Sequence, residues 1–136
     1  MGVIGLPGGE RHLALALRYL EEGKTIVEKD PVRASEKLYK AAEEAVKMLA
    51  ISFNMEDILK TVDERGRWTV TELEKAVSRI SKKLGDWFSA AWDRANYLHV
   101  WGFHEAKLDS EAVKERMPDI ERMVSETRKM IYGNND

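Results

Sequence analysis

Cysteine is absent from this chain, which excludes disulfides, thiolate nucleophiles and cysteine-ligated zinc together. Glutamine is missing too, while lysine, arginine and glutamate are abundant. That bias is shared with heat-adapted proteins, which favour ion-pair networks over thermolabile amides. Only three prolines occur, and no apolar run approaches the length of a membrane span. The opening MGVIGLPGG has neither the basic start nor the long apolar stretch of a signal peptide. The expectation is therefore a cytoplasmic protein with no membrane contact. Neither sign of charge dominates. A net charge of −2 gives no nucleic-acid-coating surface, so any basic patch must be assembled by folding.

Within 136 residues, 43% are hydrophobic and 34% charged, the balance of one folded, highly charged domain. No segment alternates as a half-buried strand does, and no internal repeat or linker interrupts the chain. The fold class expected is all-α: a single-domain bundle of about five or six helices over residues 10–133. Residues 1–9 form a flexible glycine-rich N-terminus and residues 134–136 a C-terminal tail in this reading.

Helical spacing places Leu13, Ala16, Leu17, Leu20 and Val27 on one face of residues 10–29, with Gly23 a weak point. Asp30 followed by Pro31 predicts a restart, Asp as N-cap and Pro in the first turn. The helix after it buries Ala34, Leu38, Ala41, Ala42, Ala45, Met48 and Leu49. Its charges, Glu36, Lys37, Lys40, Glu43, Glu44 and Lys47, read as a solvated outer face. A short helix from about Met55 to Glu64 ends at Gly66. Thr69 or Thr71 starts the next, with Glu72 or Glu74 to complete a capping box. Leu73, Val77, Ile80 and Leu84 mark its buried side, and Gly85 interrupts the run. Asp109 or Ser110 caps the last helix, which Pro118 kinks or restarts and Gly133 ends.

Six aromatic residues (Trp87, Phe88, Trp92, Tyr97, Trp101 and Phe103) crowd residues 87–103, with Arg94 and His99 among them. On a regular helix Trp87, Ala91, Ala95, Leu98 and Gly102 share one arc, a helix seam or a dimer seam, whose small residues admit a close neighbour. Arg94 and His99 bracket that arc, about 140° apart and roughly 7.5 Å along the axis, so they are not natural partners within one chain. Two copies related by a two-fold axis would bring both pairs to a shared cleft.

Arg94, four intervening residues, His99 and then aromatic Trp101 resemble the signature of the HEPN superfamily, all-α domains that include metal-independent ribonucleases. ASEKLYKAAEEAVKMLA (34–50) and LHVWGFHEAKLD (98–109) more closely resemble the PaREP family, archaeal paralogous-repeat proteins assigned to that superfamily. The resemblance spans most of the chain after about residue 10. It implies a homodimer that cleaves RNA through the ribose 2′-OH, with no metal or cofactor, and a nucleotidyltransferase-type protein partner. His99 would then move protons and Arg94 would bind phosphate, roles suited to an imidazole titrating near neutrality and to a planar, permanently charged guanidinium. The position after the arginine, polar in active members, is Ala95 here, with Asn96 next.

Possible accessory groups are Asn96, Trp101, His104 and Glu105, although His104 and Glu105 also read as a surface pair. No metal site is expected, because His99 and His104 lack the spacing of four that puts two imidazoles on one helix face. His12 stands alone and is not assigned. Two other readings stay open. One is a non-catalytic dimer that binds RNA, a nucleotide or a protein through the same cleft. In the other, Arg94 lies along Trp87 or Trp101 or pairs with a carboxylate, and His99 is a core histidine with a satisfied hydrogen bond.

Overall fold

The computed structural model describes residues 9–133, so the expectations for the glycine-rich start and for the tail at 134–136 fall almost wholly outside the described residues. Those residues are all-helical: α1 (Gly9–Ile26), α2 (Pro31–Ser52), α3 (Glu56–Arg65), α4 (Val70–Leu84), α5 (Asp86–Tyr97) and α6 (Ser110–Tyr132). A π-helical segment, Leu98–His104, continues α5 without a break.

The helix ends follow from local chemistry. Asp30 Oδ1 accepts the Arg33 backbone N–H at 3.0 Å, and Pro31 opens α2. Gly66 closes α3 at φ 86°, a left-handed conformation in which a Cβ would be strained. Thr69 and Glu72 make the capping box of α4, and Arg65 adds a 2.6 Å bond to the same carboxylate. Asp109 caps α6 by accepting the Ala112 N–H at 2.9 Å.

α2 is the axis of the bundle, in contact with every other helix and with the π segment. Its buried set exceeds one stripe: Ser35, Tyr39, Val46 and Ala50 join the expected Ala34, Leu38, Ala41, Ala42, Ala45, Met48 and Leu49. A helix with neighbours on several sides loses its clean amphipathicity, and the alanines let those neighbours approach. Gly23 serves the same purpose on α1, since a Cβ there would stand 3.0 Å from Leu38 Cγ and Cδ2. α1 itself ends at Ile26, three residues before the expected limit, in a turn closed by Asp30 N–H to Ile26 O at 2.8 Å.

Pro118 does not restart the last helix: α6 runs through it. Pro118 and Lys114, whose carbonyl loses its donor one turn earlier, are both exposed residues, so water is at hand for that carbonyl. The aromatic helix also departs from the regular geometry expected. From Leu98 it widens to a π register, in which the Glu105 N–H reaches Val100 O at 2.8 Å.

Two ionic clamps make stability depend on acid. Arg79 grips Asp57 through two 2.7 Å bonds, tying α4 to α3, and this holds the Asp57 carboxyl at about 2, below its ordinary 3.8. Burial raises the Glu44 carboxyl, but hydrogen bonds from His12 and Lys47 outweigh it and leave it below the usual range. A carboxyl depressed by folding stabilises the fold above its unfolded pKa and loses that contribution as pH falls through its folded value. Thermal melts should therefore weaken as pH drops from about 4 towards 2, and Asp57→Asn should flatten part of that slope. An unchanged slope in the variant would remove Asp57 from the account.

Ala95 has no exposed surface and sits where α5 meets the core. Ala95→Leu should overpack that site and lower stability by about 1–3 kcal/mol in a denaturant titration. Full tolerance would show that the neighbours are free to part.

Candidate functional site

The expected seam lies inside the chain. Ala91, Ala95, Leu98 and Gly102 are buried, and half-buried Trp87 is roofed by the Arg122 guanidinium of α6, 4.0 Å from its ring. The small-residue arc is thus a helix seam against the chain's own bundle and is not open to a second copy. The tightest point is Gly102, where a Cβ would stand 2.2 Å from Ser35 Oγ and 2.6 Å from Ser35 Cβ on α2.

On the α2 side of this seam, His99 Nδ1 lies 2.7 Å from Glu36 Oε1. The His99 ring stacks on Tyr39 with centroids 4.2 Å apart, and Phe103 lies beyond at 6.3 Å. Burial, followed by the nearby carboxylates Glu43, Glu36 and Glu74, pushes the Tyr39 hydroxyl well above its usual pKa, so it remains a neutral platform. A carboxylate only accepts, so His99 donates to Glu36 through its Nδ1–H, and its Nε2 is turned away from that bond. At 3.2 Å from that Nε2 stands the Nε2 of His104.

The π register creates this imidazole pair. Five residues on an α-helix end about 140° apart, whereas at roughly 80° per residue a π turn leaves them about 40° apart. His104 therefore comes round to His99, and the two rings meet edge to face with centroids 4.5 Å apart. The expectation that these histidines cannot share a face rested on a regular helix and does not hold here.

Arg94 goes the other way. Its Nε lies 3.5 Å from Asp119 Oδ2 on α6, and both side chains are well exposed, a surface pair of small energetic weight. The fold thus gathers Glu36, Tyr39, His99, Phe103 and His104 on the α2 side and leaves Arg94 on the α6 side. Asn96 turns back on its own helix, its Nδ2 donating to Trp92 O at 3.0 Å. Trp101 is exposed, together with Tyr97 and Val100, on the outer surface of α5 and the π segment. Glu105 follows His104 at the surface.

Sequence reasoning missed Glu36, read as part of a solvated face although its side chain is only 18% exposed and bonded to His99. No local signal marks it, since the partners are 63 residues apart. His12, left unassigned, bonds Glu44 at 2.6 Å at the edge of a groove of ≈ 940 Å³ over α1, α2 and α3. The groove also takes in Arg11, Lys47, Lys60 and Trp68, but Glu44 and Lys47 already neutralise one another there, and His12 is the one imidazole that lines it, without the second ring that faces His99. Among the described residues no helix is long and apolar enough to cross a membrane.

The profile of the archaeal PaREP1/PaREP8 family matches residues 11–124. A crystal structure of a protein from Sulfolobus solfataricus is similar, at 37% identity and a TM-score of 0.78, over 84% of this chain and 93% of that one. A solution structure of the same structural-genomics target, an open-reading-frame protein, is similar at 34% identity and a TM-score of 0.76, over 89% and 94% of the two chains. No curated protein matches the chain.

Proposed function

The chain belongs to the archaeal PaREP1/PaREP8 family, and from that premise we propose that it is a HEPN-type, metal-independent endoribonuclease that works as a homodimer. The observation that carries this reading is the series Glu36–His99–His104, a carboxylate-anchored imidazole whose free Nε2 faces a second imidazole. Cleavage needs one group to take the ribose 2′-OH proton and another to protonate the departing 5′-oxygen, and a pair of imidazoles is suited to both roles. His99 Nε2 accepts the 2′ proton as the 2′-oxygen attacks phosphorus. The bond to the 5′-oxygen breaks, and His104, which is exposed and free to swing from its partner, donates the proton. The products are a 2′,3′-cyclic phosphate and a 5′-hydroxyl.

Arg94 of a second copy supplies the positive charge for the phosphorane-like transition state, because within one chain it lies on the other side of the seam. Exposed Tyr97, Val100 and Trp101 give an apolar surface beside it for that copy to cover. A nucleotidyltransferase-type partner that restrains the nuclease belongs to the same superfamily reading.

Buried Ala95 and the Arg94–Asp119 pair favour a second reading, in which the same surface binds RNA without cutting it. One experiment separates the two: mixed RNA in EDTA with wild type, Arg94→Ala, His99→Ala and His104→Ala. Cleavage that His99→Ala and Arg94→Ala both abolish supports the nuclease. Intact RNA with a mobility shift that Arg94→Ala loses establishes binding instead. Cleavage equal in all four proteins would place the activity elsewhere. A monomer at micromolar concentration would remove the shared cleft.

A further inference from the structure

We infer that His99 and His104 form a chelate for one divalent transition-metal ion of the Zn2+, Ni2+ or Cu2+ class, with Glu36 as the carboxylate behind the first ligand. The two Nε2 atoms are 3.2 Å apart. With ordinary metal–imidazole bonds of about 2.0–2.1 Å, that separation subtends roughly 100° at a shared ion, near the tetrahedral angle.

Metal-ligating histidines usually donate their second ring N–H to a carboxylate or carbonyl, which fixes the tautomer and raises ligand basicity. Glu36 occupies that position on His99 at 2.7 Å. Among the described residues Glu36 pairs with no lysine or arginine, so its charge is left to favour a cation on the far side of the ring. Stacking on Tyr39 holds the His99 ring in place, so little side-chain entropy is lost when the ion binds.

No third histidine, cysteine, aspartate or glutamate joins the pair among the described residues. The remaining coordination positions therefore go to water, and exposed His104 leaves them open to solvent. Imidazole donors without a carboxylate in direct contact select transition metals over Mg2+ and Ca2+. This inference does not rest on the cleavage reading. A bound ion takes the lone pair that proton transfer requires, so it would inhibit a nuclease and would leave a binding protein chemically unchanged.

The test is a calorimetric titration of metal-stripped protein, without RNA, using Zn2+ and Ni2+, with Mg2+ as the comparison ion. Wild type should bind one Zn2+ per chain in the micromolar range and ignore Mg2+. His104→Ala, at an exposed position, should keep the wild-type circular dichroism and melt and lose binding. Glu36→Gln should weaken affinity about 10- to 100-fold. His12→Asn should bind as wild type does. Saturable binding that survives in His104→Ala, equal losses in His104→Ala and His12→Asn, or no binding below millimolar Zn2+ would each overturn the site. Because no RNA is present, these failures leave the nuclease reading intact, and a lack of cleavage in EDTA leaves the metal site intact.

Discussion

Gly102→Ala should lower folding stability by about 3 kcal/mol, near the upper end of what overpacking usually costs. Contacts of 2.2 Å to Ser35 Oγ and 2.6 Å to Ser35 Cβ are not relieved by rotating a side chain, since the second atom is fixed to the α2 backbone. Either α2 and the π segment separate, or the π register slips. Ser35 is fully buried and its hydroxyl donates to Pro31 O at 2.8 Å, so it has nowhere to retreat. A double substitution shows which atom is responsible. Ser35→Ala with Gly102→Ala removes the oxygen and keeps the Cβ contact, so it should recover only part of the loss. Ser35→Gly with Gly102→Ala removes both and should recover more, less about 1 kcal/mol for glycine inside a helix. Urea midpoints at constant m-value measure the series, and a Gly102→Ala protein as stable as wild type would mean that α2 and the π segment are not in contact as described.

The second large effect is on activity. His99→Ala should reduce RNA cleavage by about 10²–10⁴-fold, the usual contribution of one positioned proton-transfer group, equivalent to about 3–5 kcal/mol of barrier. The variant keeps its fold if the ring's packing on Tyr39 is not essential, so His99→Gln, closer in volume, accompanies it and should be equally inactive. His104→Ala should also lose activity, through the protonation of the leaving oxygen. A ribonucleotide whose 3′-phosphodiester carries an aryl oxide in place of the 5′-linked nucleoside, a leaving group that needs no acid, should recover much of the rate in His104→Ala and none in His99→Ala. Equal recovery in both variants would contradict the division of labour between the two rings. Asp57→Asn, remote on the α3–α4 clamp, should cleave as wild type does.

The helices themselves were legible from local chemistry. Asp30 before Pro31, Thr69 three residues before Glu72, Asp109 at the head of α6, and Gly66 and Gly133 at helix ends all act within four residues of where they stand. Such signals need no tertiary context. The expected restart at Pro118 failed for the converse reason: whether a proline breaks a helix depends on whether the carbonyl it orphans can reach solvent, and here the proline lies on the exposed side.

The site divides along the same line. Arg94 and His99 could be singled out as flanking a buried arc, and they lie on opposite sides of it, one towards Asp119 on α6 and the other towards Glu36 on α2. His104 could not be joined to His99, because a regular helical wheel puts five residues at the wrong angle and only the π turn corrects it.

By itself, then, the sequence determined that this chain is a helical bundle, where the capped helices begin, and which stretch carries unusual chemistry among aromatic residues. Those properties depend on side chains a few positions apart. Tertiary structure alone decided that the small-residue seam closes on the chain's own bundle, that Gly102 meets Ser35, and that a glutamate 63 residues distant holds His99. Each of these depends on two helices coming into van der Waals contact, a relation in space that no local periodicity encodes.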